Sequence, residues 1–318
     1  MSDLPPRTPP LAAPGGDFKT GAFVRHATRP EWGLGKVVYV DDGHVHVYFT
    51  DLEAGPGEAV VRLSRAAGML FHADVKSDVI LDHLPALSNG KLPSRCKVRI
   101  TEKQAVDRFT SSYSNFDSDG YLRAERHYAW QTHLLVAEWF QSDEGRRLLT
   151  AGPSEELAYK IRDLLALTSL LTSRELAAVQ EMFEEIDAAS RFAAATLAFV
   201  NSPSEVTFNR LVGITGNLPA EFGRAPVLTW PVVTALPFLA NPMELVFLKP
   251  EVTRRMADAL CFDLLYDACP TWTTYRRLQR WHDHLLARLR PLGARDFIDV
   301  HGFLSVVAAS GAAKSSTR

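Results

Sequence analysis

Residues Leu228–Pro250 read LTWPVVTALPFLANPMELVFLKP, and the interpretation of the chain begins with this proline-rich stretch. It is strongly apolar but carries prolines at four positions: Pro231, Pro237, Pro242 and Pro250. Because each proline removes a backbone donor and clashes with the preceding turn, the sequence predicts that no long helix forms here. The polar residues Asn241 and Glu244 also disfavour a membrane span. We expect an irregular segment packed in a larger core, either as part of a site or as a plain buried connector.

The composition is typical of a soluble globular protein. The 318 residues are 46% hydrophobic and 23% charged, with a formal net charge of -2. A chain of this length holds roughly two domains. Because the overall charge does not indicate a nucleic-acid-binding protein, that function would require a local basic patch.

Cysteine usage and short motifs exclude several classes of protein. The cysteines Cys96, Cys261 and Cys269 have no metal-like spacing, so we expect reduced thiols and a cytoplasmic location. The first 17 residues contain five prolines and no apolar core, unlike a signal peptide. The chain has no phosphate-binding loop, dinucleotide fingerprint, HExxH or GxSxG motif, so we expect no cofactor and no metal.

The N-terminal part of the sequence predicts a small β-structure. Residues 1–17 are rich in proline and glycine and are predicted to be disordered. Short runs typical of strands follow at Gly21–His26, Gly35–Val40, His44–Phe49 and Glu58–Leu63. Asp41–Gly43 is suited to a hairpin turn between the second and third runs. Strands this short and close together, with no helices between them, indicate a small closed barrel.

The same region resembles a known module. Its pattern combines Gly21-x-x-Val24-x-His26, Trp32-Gly33-x-Gly35-x-Val37 and the alternation Val45, Val47, Phe49. This resembles the small SH3/Tudor-like modules found alone, at the tails of UvrD-type helicases and in CarD-like regulators. The resemblance covers about residues 18–63 and implies docking to a protein partner or a place near nucleic acid.

Residues beyond the barrel are predicted to be mainly helical, which gives an α+β fold class. We place the barrel and its extension at 18–90, a linker around Ser88–Ser94, the helical domain at 95–308 and a disordered tail at 309–318. Apolar periodicity predicts helices at Asp119–Gln141, Ser154–Leu171, Glu175–Val200, 202–212, Glu251–Cys261, Thr273–Leu292 and Arg295–Val307.

Basic residues are concentrated near the C-terminal end. The segment Thr271–Arg295 contains six arginines and one carboxylate, Asp283. Helical spacing directs the aromatic and leucine residues towards the core and leaves a set of arginines outside: Arg276, Arg277, Arg280 and Arg288, with Arg254 and Arg255 on the preceding helix. Such guanidinium groups suit DNA phosphates, and a solvated face paired with acidic neighbours is the alternative.

Acidic and amine side chains supply candidate catalytic groups. Asp296 and Asp299 are three residues apart on a predicted helix, so two carboxylates share a face and could divide the roles of acid and base. The simpler alternative is that Asp296 favours the helix dipole and Asp299 pairs with an arginine. Lys249 leaves an apolar run just before a helix and could act as a nucleophile, or extend from the core into solvent.

The proline-rich stretch and the helix after it are similar in layout to helical DNA glycosylases. The similarity lies in Thr229–Ala235, the apolar link and the segment from Phe247 to Leu260, which reads FLKPEVTRRMADAL. In that family a hairpin grips the DNA backbone and a following segment delivers a catalytic carboxylate. Here the hairpin glycines are missing, and Lys249 stands where the family's aspartate would be.

Two main functional hypotheses follow from these patterns. The first is a DNA glycosylase-like enzyme, used in repair or against modified invading DNA, that extrudes a base into a pocket of Trp230, Phe238 and Phe247. Asp296, Asp299 or Glu244 would stabilise the oxocarbenium charge, or Lys249 would attack C1′. The second is a non-enzymatic adaptor whose barrel docks a protein partner. A ligand-binding sensor is a third possibility.

Overall fold

The computed structural model describes residues 17–53, 59–88, 91–216 and 229–315. Within these ranges the chain forms two compact units. The sheet unit comprises the described residues up to 106 together with 257–263, and the helical unit comprises the described residues of 107–256 and those from 264 onwards. The predicted disorder of residues 1–16, the centre of the linker at 89–90 and the last three residues lie outside the described ranges.

The sheet unit is built on one five-stranded antiparallel sheet. Its strands are β1 (Phe23–His26), β2 (Gly35–Val40), β3 (His44–Phe49), β4 (Val60–Ser64) and β5 (Leu70–His72). The order across the sheet is β4-β3-β2-β1-β5, so the last strand returns to pair with the first. The α+β class is confirmed, and β2 and β3 have the predicted bounds. Strand β5 was not predicted, because three residues carry too short an alternation to be recognised.

The Trp-Gly-x-Gly pattern has a local steric explanation. Gly33 has a φ of 76°, a conformation that side chains rarely adopt. A Cβ on Gly35 would lie 2.7 Å from the ring of Phe49 on the paired strand. Each glycine therefore permits a backbone path that a larger residue would block. At Gly35 the missing side chain lets β2 pack closely against Phe49 of β3.

Strand β3 supplies side chains to two apolar clusters. Val45, Val47 and Phe49 point into the first, with Phe18, Val24, Val37, Leu63 and Leu70. Tyr48 points to the opposite face, where it packs with Leu81, Cys96 and Cys261. The second cluster thus includes a residue from segment 257–263, and the core of the sheet unit is not contiguous in sequence.

Helices account for most of the remaining chain. Those up to residue 182 are α1 (Val79–Asp82), α2 (Glu102–Ser112), α3 (Asp119–Tyr121), α4 (His127–Gln141), α5 (Asp143–Ala151), α6 (Glu155–Ala166) and α7 (Ser173–Met182). The later ones are α8 (Ile186–Asn201), α9 (Glu205–Gly216), α10 (Trp230–Ala240), α11 (Pro250–Ala259), α12 (Trp272–Leu289) and α13 (Phe297–Ser315). A five-residue π-helical turn, Leu122–Arg126, joins α3 to α4.

Three predicted helix boundaries were wrong for identifiable reasons. The single helix predicted at Glu175–Val200 is two helices, because i→i+3 hydrogen bonds at Phe183–Glu185 end α7 and redirect the chain. Helix α9 begins at Glu205, because the hydroxyl of Ser204 accepts from the Thr207 amide and caps it. Helix α13 continues to Ser315 through the predicted tail, whose alanines are strong helix formers.

The proline-rich stretch contains a helix, contrary to the sequence prediction. Helix α10 is 11 residues long, with Pro231 in its first turn, where no amide partner is needed, and Pro237 inside it. Thr229 caps its start by accepting from the Val232 amide. An interior proline costs about 3 kcal/mol. Ten of the 11 residues are buried, and full burial of each large apolar side chain contributes about 1.5–3 kcal/mol, so burial outweighs that cost.

The irregular conformation predicted for this stretch is found at residues 241–249. Side chains satisfy its backbone: Thr234 Oγ1 accepts from the Leu248 amide at 3.1 Å and Tyr275 Oη accepts from the Val246 amide at 3.2 Å. None of the helices in the described ranges is long and apolar enough to cross a membrane.

Candidate functional site

The exposed face of α12 carries the predicted arginines. Thr271 caps the helix, and its core-facing residues Tyr275, Leu278, Trp281, Leu285 and Leu289 are buried. Arg276, Arg280 and Arg288 are exposed, as the helical spacing predicts, whereas Arg277 is half-buried. We call these four residues the arginine face. Arg254 and Arg255 on α11 are exposed as well.

Aromatic rings support two of these guanidinium groups. Arg276 lies over the ring of Trp272 at 5.7 Å and hydrogen-bonds to Gln279, while Arg254 lies 4.7 Å from the ring centre of Tyr266. Such stacking restrains the guanidinium group and leaves N–H groups at its edge available as donors. Within the described ranges Arg280 has no ion-pair partner. Burial raises the pKa of Asp283, the carboxylate on the same helix, and nearby Arg276 opposes that shift.

Glu244 lies beside this helix, in the turn after α10. It accepts from Asn241 Nδ2 at 3.2 Å, and its backbone oxygen accepts from Gln279 Nε2 at 2.6 Å. The Glu244 side chain is exposed. No hydrogen bond or ion pair joins it to Asp296 or Asp299 in the part of the chain described.

The two predicted catalytic aspartates lie together in a buried network. Arg126 donates to both oxygens of Asp296, at 2.9 and 2.7 Å, and approaches Asp299 Oδ1 at 2.8 Å. The Tyr121 hydroxyl donates to the same Asp299 oxygen at 2.9 Å, and the Arg295 amide donates to the other at 2.8 Å. Asp296 Oδ1 also accepts from the backbone amides that begin α13. All four carboxylate oxygens therefore have donors.

Burial determines the electrostatics of this network. Asp299 is fully buried, which raises the pKa of its carboxyl, and Arg126 opposes that shift. Burial lowers the pKa of the Arg126 guanidinium. The hydrogen bonds to Asp296 and the negative charges of Asp296 and Asp299 outweigh this effect, so the pKa is raised overall. Arg126 further lies 4.5 Å from the ring centre of Trp130. The arrangement anchors the start of α13 and corresponds to the simpler of the two sequence interpretations.

The predicted base-pocket residues are packed in the core. Trp230 is 1% exposed and donates from Nε1 to the backbone oxygen of Asp267 at 2.8 Å. The rings of Phe238 and Phe247 are 5.8 Å apart, and His301 lies edge-on to both, at 6.3 and 5.2 Å. His301 thus packs against two of the three rings predicted to line a base pocket.

Lys249 is exposed at the end of this aromatic group. Burial lowers the pKa of His301 to about 4, and the charge of Lys249 adds to that effect. Burial likewise lowers the pKa of His282 to about 3, while a hydrogen bond between its Nδ1 and the Leu278 carbonyl opposes the shift. The structure therefore brings Lys249 near His301, but no contact in the described ranges joins Lys249 to Asp296 or Asp299.

Sequence reasoning missed Arg126 and Tyr121. A signal was present for Arg126, because it lies four residues after Leu122 and four before Trp130, on the apolar side of a predicted helix. A charged residue in that position must find a buried partner. Nothing local indicated the partner, since Arg126 and Asp296 are 170 residues apart. No group of histidine, cysteine or acidic residues in the described ranges is arranged to hold a metal ion.

Comparison with known proteins adds a match to the sheet unit. A family model described as "Protein of unknown function (DUF3553)" matches residues 18–67, a range that includes strands β1 to β4. The match spans a minor part of the 318 residues and carries no activity with it. Neither a curated protein nor a solved structure matches the chain. The resemblances to SH3/Tudor-like modules and to helical DNA glycosylases remain predictions.

Proposed function

We propose that the helical unit binds the phosphate backbone of DNA through the arginine face of α12. The observation that supports this is that one helix with a single carboxylate carries three exposed arginines, Arg276, Arg280 and Arg288, beside the half-buried Arg277. Guanidinium groups bind phosphate oxygens through paired hydrogen bonds and release condensed counterions. Stacking of Arg276 on Trp272 limits the freedom that this side chain loses on binding.

Binding without base excision is the function that the geometry favours. A glycosidase-type mechanism needs a carboxylate that can reach the sugar. The oxygens of Asp296 and Asp299 are occupied by protein donors, which leaves the exposed Glu244 as the one predicted carboxylate that could do so. Phe238, Phe247 and Trp230 are each 1% exposed. Base excision stays a prediction, and so does docking of a protein partner by the sheet unit.

The experiment is a titration of labelled duplex DNA with the full chain at several salt concentrations. We expect the logarithm of the association constant to fall with the logarithm of salt, with a slope of about -0.9 for each phosphate neutralised. The variant Arg276→Ala/Arg277→Ala/Arg280→Ala should weaken binding and reduce the slope by about 3. An unchanged slope in this variant contradicts the proposal.

A matched control removes the same charge elsewhere. Arg174, Arg191 and Arg210 are exposed on α7, α8 and α9. Their triple alanine variant should keep the slope of the unaltered protein, because the proposed contact lies on α12. If both triple variants lose affinity equally, net charge and not the arginine face determines binding. Alkali-sensitive strand breaks in lesion-containing DNA would instead restore the base-excision hypothesis.

A further inference from the structure

Two of the three cysteines meet in the sheet unit. Cys96 ends a short 3₁₀ turn, Ser94–Cys96, and Cys261 is the second residue after the end of α11 at Ala259. Both side chains are buried and pack with Tyr48 and Leu81, and the two cysteine side chains are hydrogen-bonded to each other. Their positions in the sequence gave no sign of this pairing, because 164 residues separate them.

The hydrogen bonds around Cys261 have a definite direction. Arg99 Nε can only donate, so at 2.8 Å it uses the Tyr48 oxygen as its acceptor. The hydroxyl proton of Tyr48 is then free to point at the Cys261 sulfur, to which Tyr48 is hydrogen-bonded. Arg99 is itself fixed by the backbone oxygens of Phe49 and Thr50, each at 2.8 Å. The Cys261 sulfur thus receives donors from Tyr48 and Cys96, with a fixed positive charge behind Tyr48.

The backbone at Cys261 is strained. The Phe262 amide donates to the Ala257 carbonyl at 2.8 Å and the Cys261 amide to the Asp258 carbonyl at 3.3 Å, which is the Schellman ending of a helix. Glycine is the usual residue at the position that Cys261 occupies, because the backbone there is left-handed. Cys261 has a φ of 53°. Cys261 thus stands in a conformation that costs energy for a residue with a side chain, at the point where it meets Tyr48 and Cys96.

The two thiols differ in acidity. The hydrogen bond from Cys96 lowers the pKa of Cys261, burial opposes this, and Arg99 and Tyr48 lower it further. The same Cys96–Cys261 hydrogen bond, together with burial, raises the pKa of Cys96. This asymmetry matches a nucleophilic thiolate and a second thiol that keeps its proton until the nucleophile has reacted.

We propose that Cys96 and Cys261 form a modification site for a hydroperoxide, with Cys261 as the nucleophile and Cys96 as the resolving thiol. The Cys261 thiolate attacks one peroxide oxygen, the O–O bond breaks, and the departing hydroxide takes a proton to become water. The resulting sulfenic acid is attacked by Cys96 sulfur, the S–O bond breaks, and the Cys96 proton leaves with the oxygen as a second water. Two thiols are oxidised to one disulfide, and one hydrogen peroxide is reduced to two waters.

The first experiment uses the folded full chain and hydrogen peroxide. Catalase then removes the remaining peroxide, and the protein is unfolded, alkylated, digested and analysed by mass spectrometry. We expect two of the three thiols to be lost, a linked peptide containing Cys96 and Cys261, and one alkylated cysteine, Cys269. The same treatment of the unfolded chain should not favour this pair. Oxidation of Cys269 alone in the folded protein, with both buried thiols intact, would overturn the proposal.

Variants separate the two roles. In Cys96→Ser the sulfenic acid has no resolving thiol, so a dimedone adduct should accumulate at Cys261, whereas Cys269→Ser should still form the disulfide. Tyr48→Phe keeps the ring but removes the donor, and should slow Cys261 oxidation about tenfold and move its pH profile to higher pH. No adduct in Cys96→Ser, or an unchanged pH profile in Tyr48→Phe with unchanged thermal stability, contradicts the assigned roles.

Discussion

The buried Arg126 network and the arginine face use the same residue type in opposite ways. Arg126 is 4% exposed and meets two carboxylates, whereas Arg276 and Arg280 are exposed on α12. A buried charge depends on its partners, because removing one of them leaves the other desolvated without compensation. An exposed charge adds little to folding and is available to a ligand. The comparison teaches that the chemistry of an arginine or aspartate in this chain follows from its burial.

The largest expected effect is the loss of the buried arginine. Arg126→Met should lower the free energy of unfolding by about 3–5 kcal/mol, because it leaves Asp296 and Asp299 buried without a counter-charge. Chemical denaturation followed by circular dichroism measures the change. Arg280→Met is the matched control and should change stability by less than about 0.5 kcal/mol. Equal effects from the two substitutions would remove the distinction between the regions.

Lowering the pH is expected to have the next largest effect on stability, because two buried histidines take up protons on unfolding. The pKa of His282 is lowered from 6.5 to about 3, and that of His301 from 6.5 to about 4. Their contribution is fully present above pH 6.5. It is lost as the pH falls towards the folded values, because the unfolded state takes up the protons first. At pH 5 we expect a loss of roughly 2 kcal/mol for each histidine.

Denaturant unfolding at pH 7 and pH 5 tests this expectation. His301→Gln should reduce the difference between the two pH values by about half, since one of the two groups no longer titrates. His127 is exposed on α4, so His127→Gln should leave the difference unchanged. A full pH difference in His301→Gln would show that other groups are responsible.

A smaller change probes the edge of the buried network. Tyr121→Phe removes the hydroxyl donor to Asp299 but keeps the ring, and should destabilise the protein by about 1–3 kcal/mol. Tyr128 is exposed, so Tyr128→Phe should have almost no effect. Thermal unfolding of both variants measures the difference. A Tyr121→Phe variant as stable as the unaltered protein would mean that Asp299 does not need this donor.

The smallest effect on stability is expected from the arginine face itself. Removing the exposed Arg276 and Arg280 should change the free energy of unfolding by only about 0.5 kcal/mol per site or less, while DNA affinity falls. Measuring both quantities on one preparation separates a binding surface from a structural one. A large loss of stability would place these arginines in the same class as Arg126.

Local patterns in the sequence predicted the features that local physics determines. The alternation at Val45, Val47 and Phe49 gave β3, and the spacing of Tyr275, Leu278 and Trp281 gave the buried side of α12 and therefore its arginine face. Helix α10 was missed because burial, which depends on the rest of the fold, outweighed the cost of Pro237.

Features that depend on distant partners could not be predicted. Asp296 and Asp299 were recognised as neighbours in sequence. That both carboxylates bind Arg126 could not be predicted, because the sequence does not show which distant segment packs against them. The same holds for Cys261, whose neighbours Tyr48 and Cys96 belong to a much earlier part of the chain. A sequence therefore indicates which residues have reactive chemistry, while long-range packing decides whether that chemistry is exposed.

The inclusion of residues 257–263 in the sheet unit affects how this protein is made. A ribosome that has released the first 106 residues has not yet supplied Cys261, which fills part of the apolar cluster behind Tyr48. At about 5–20 residues per second, the missing segment emerges on the order of 10–30 seconds later. During synthesis, part of the apolar cluster behind Tyr48 therefore stays uncovered until most of the helical unit has been translated.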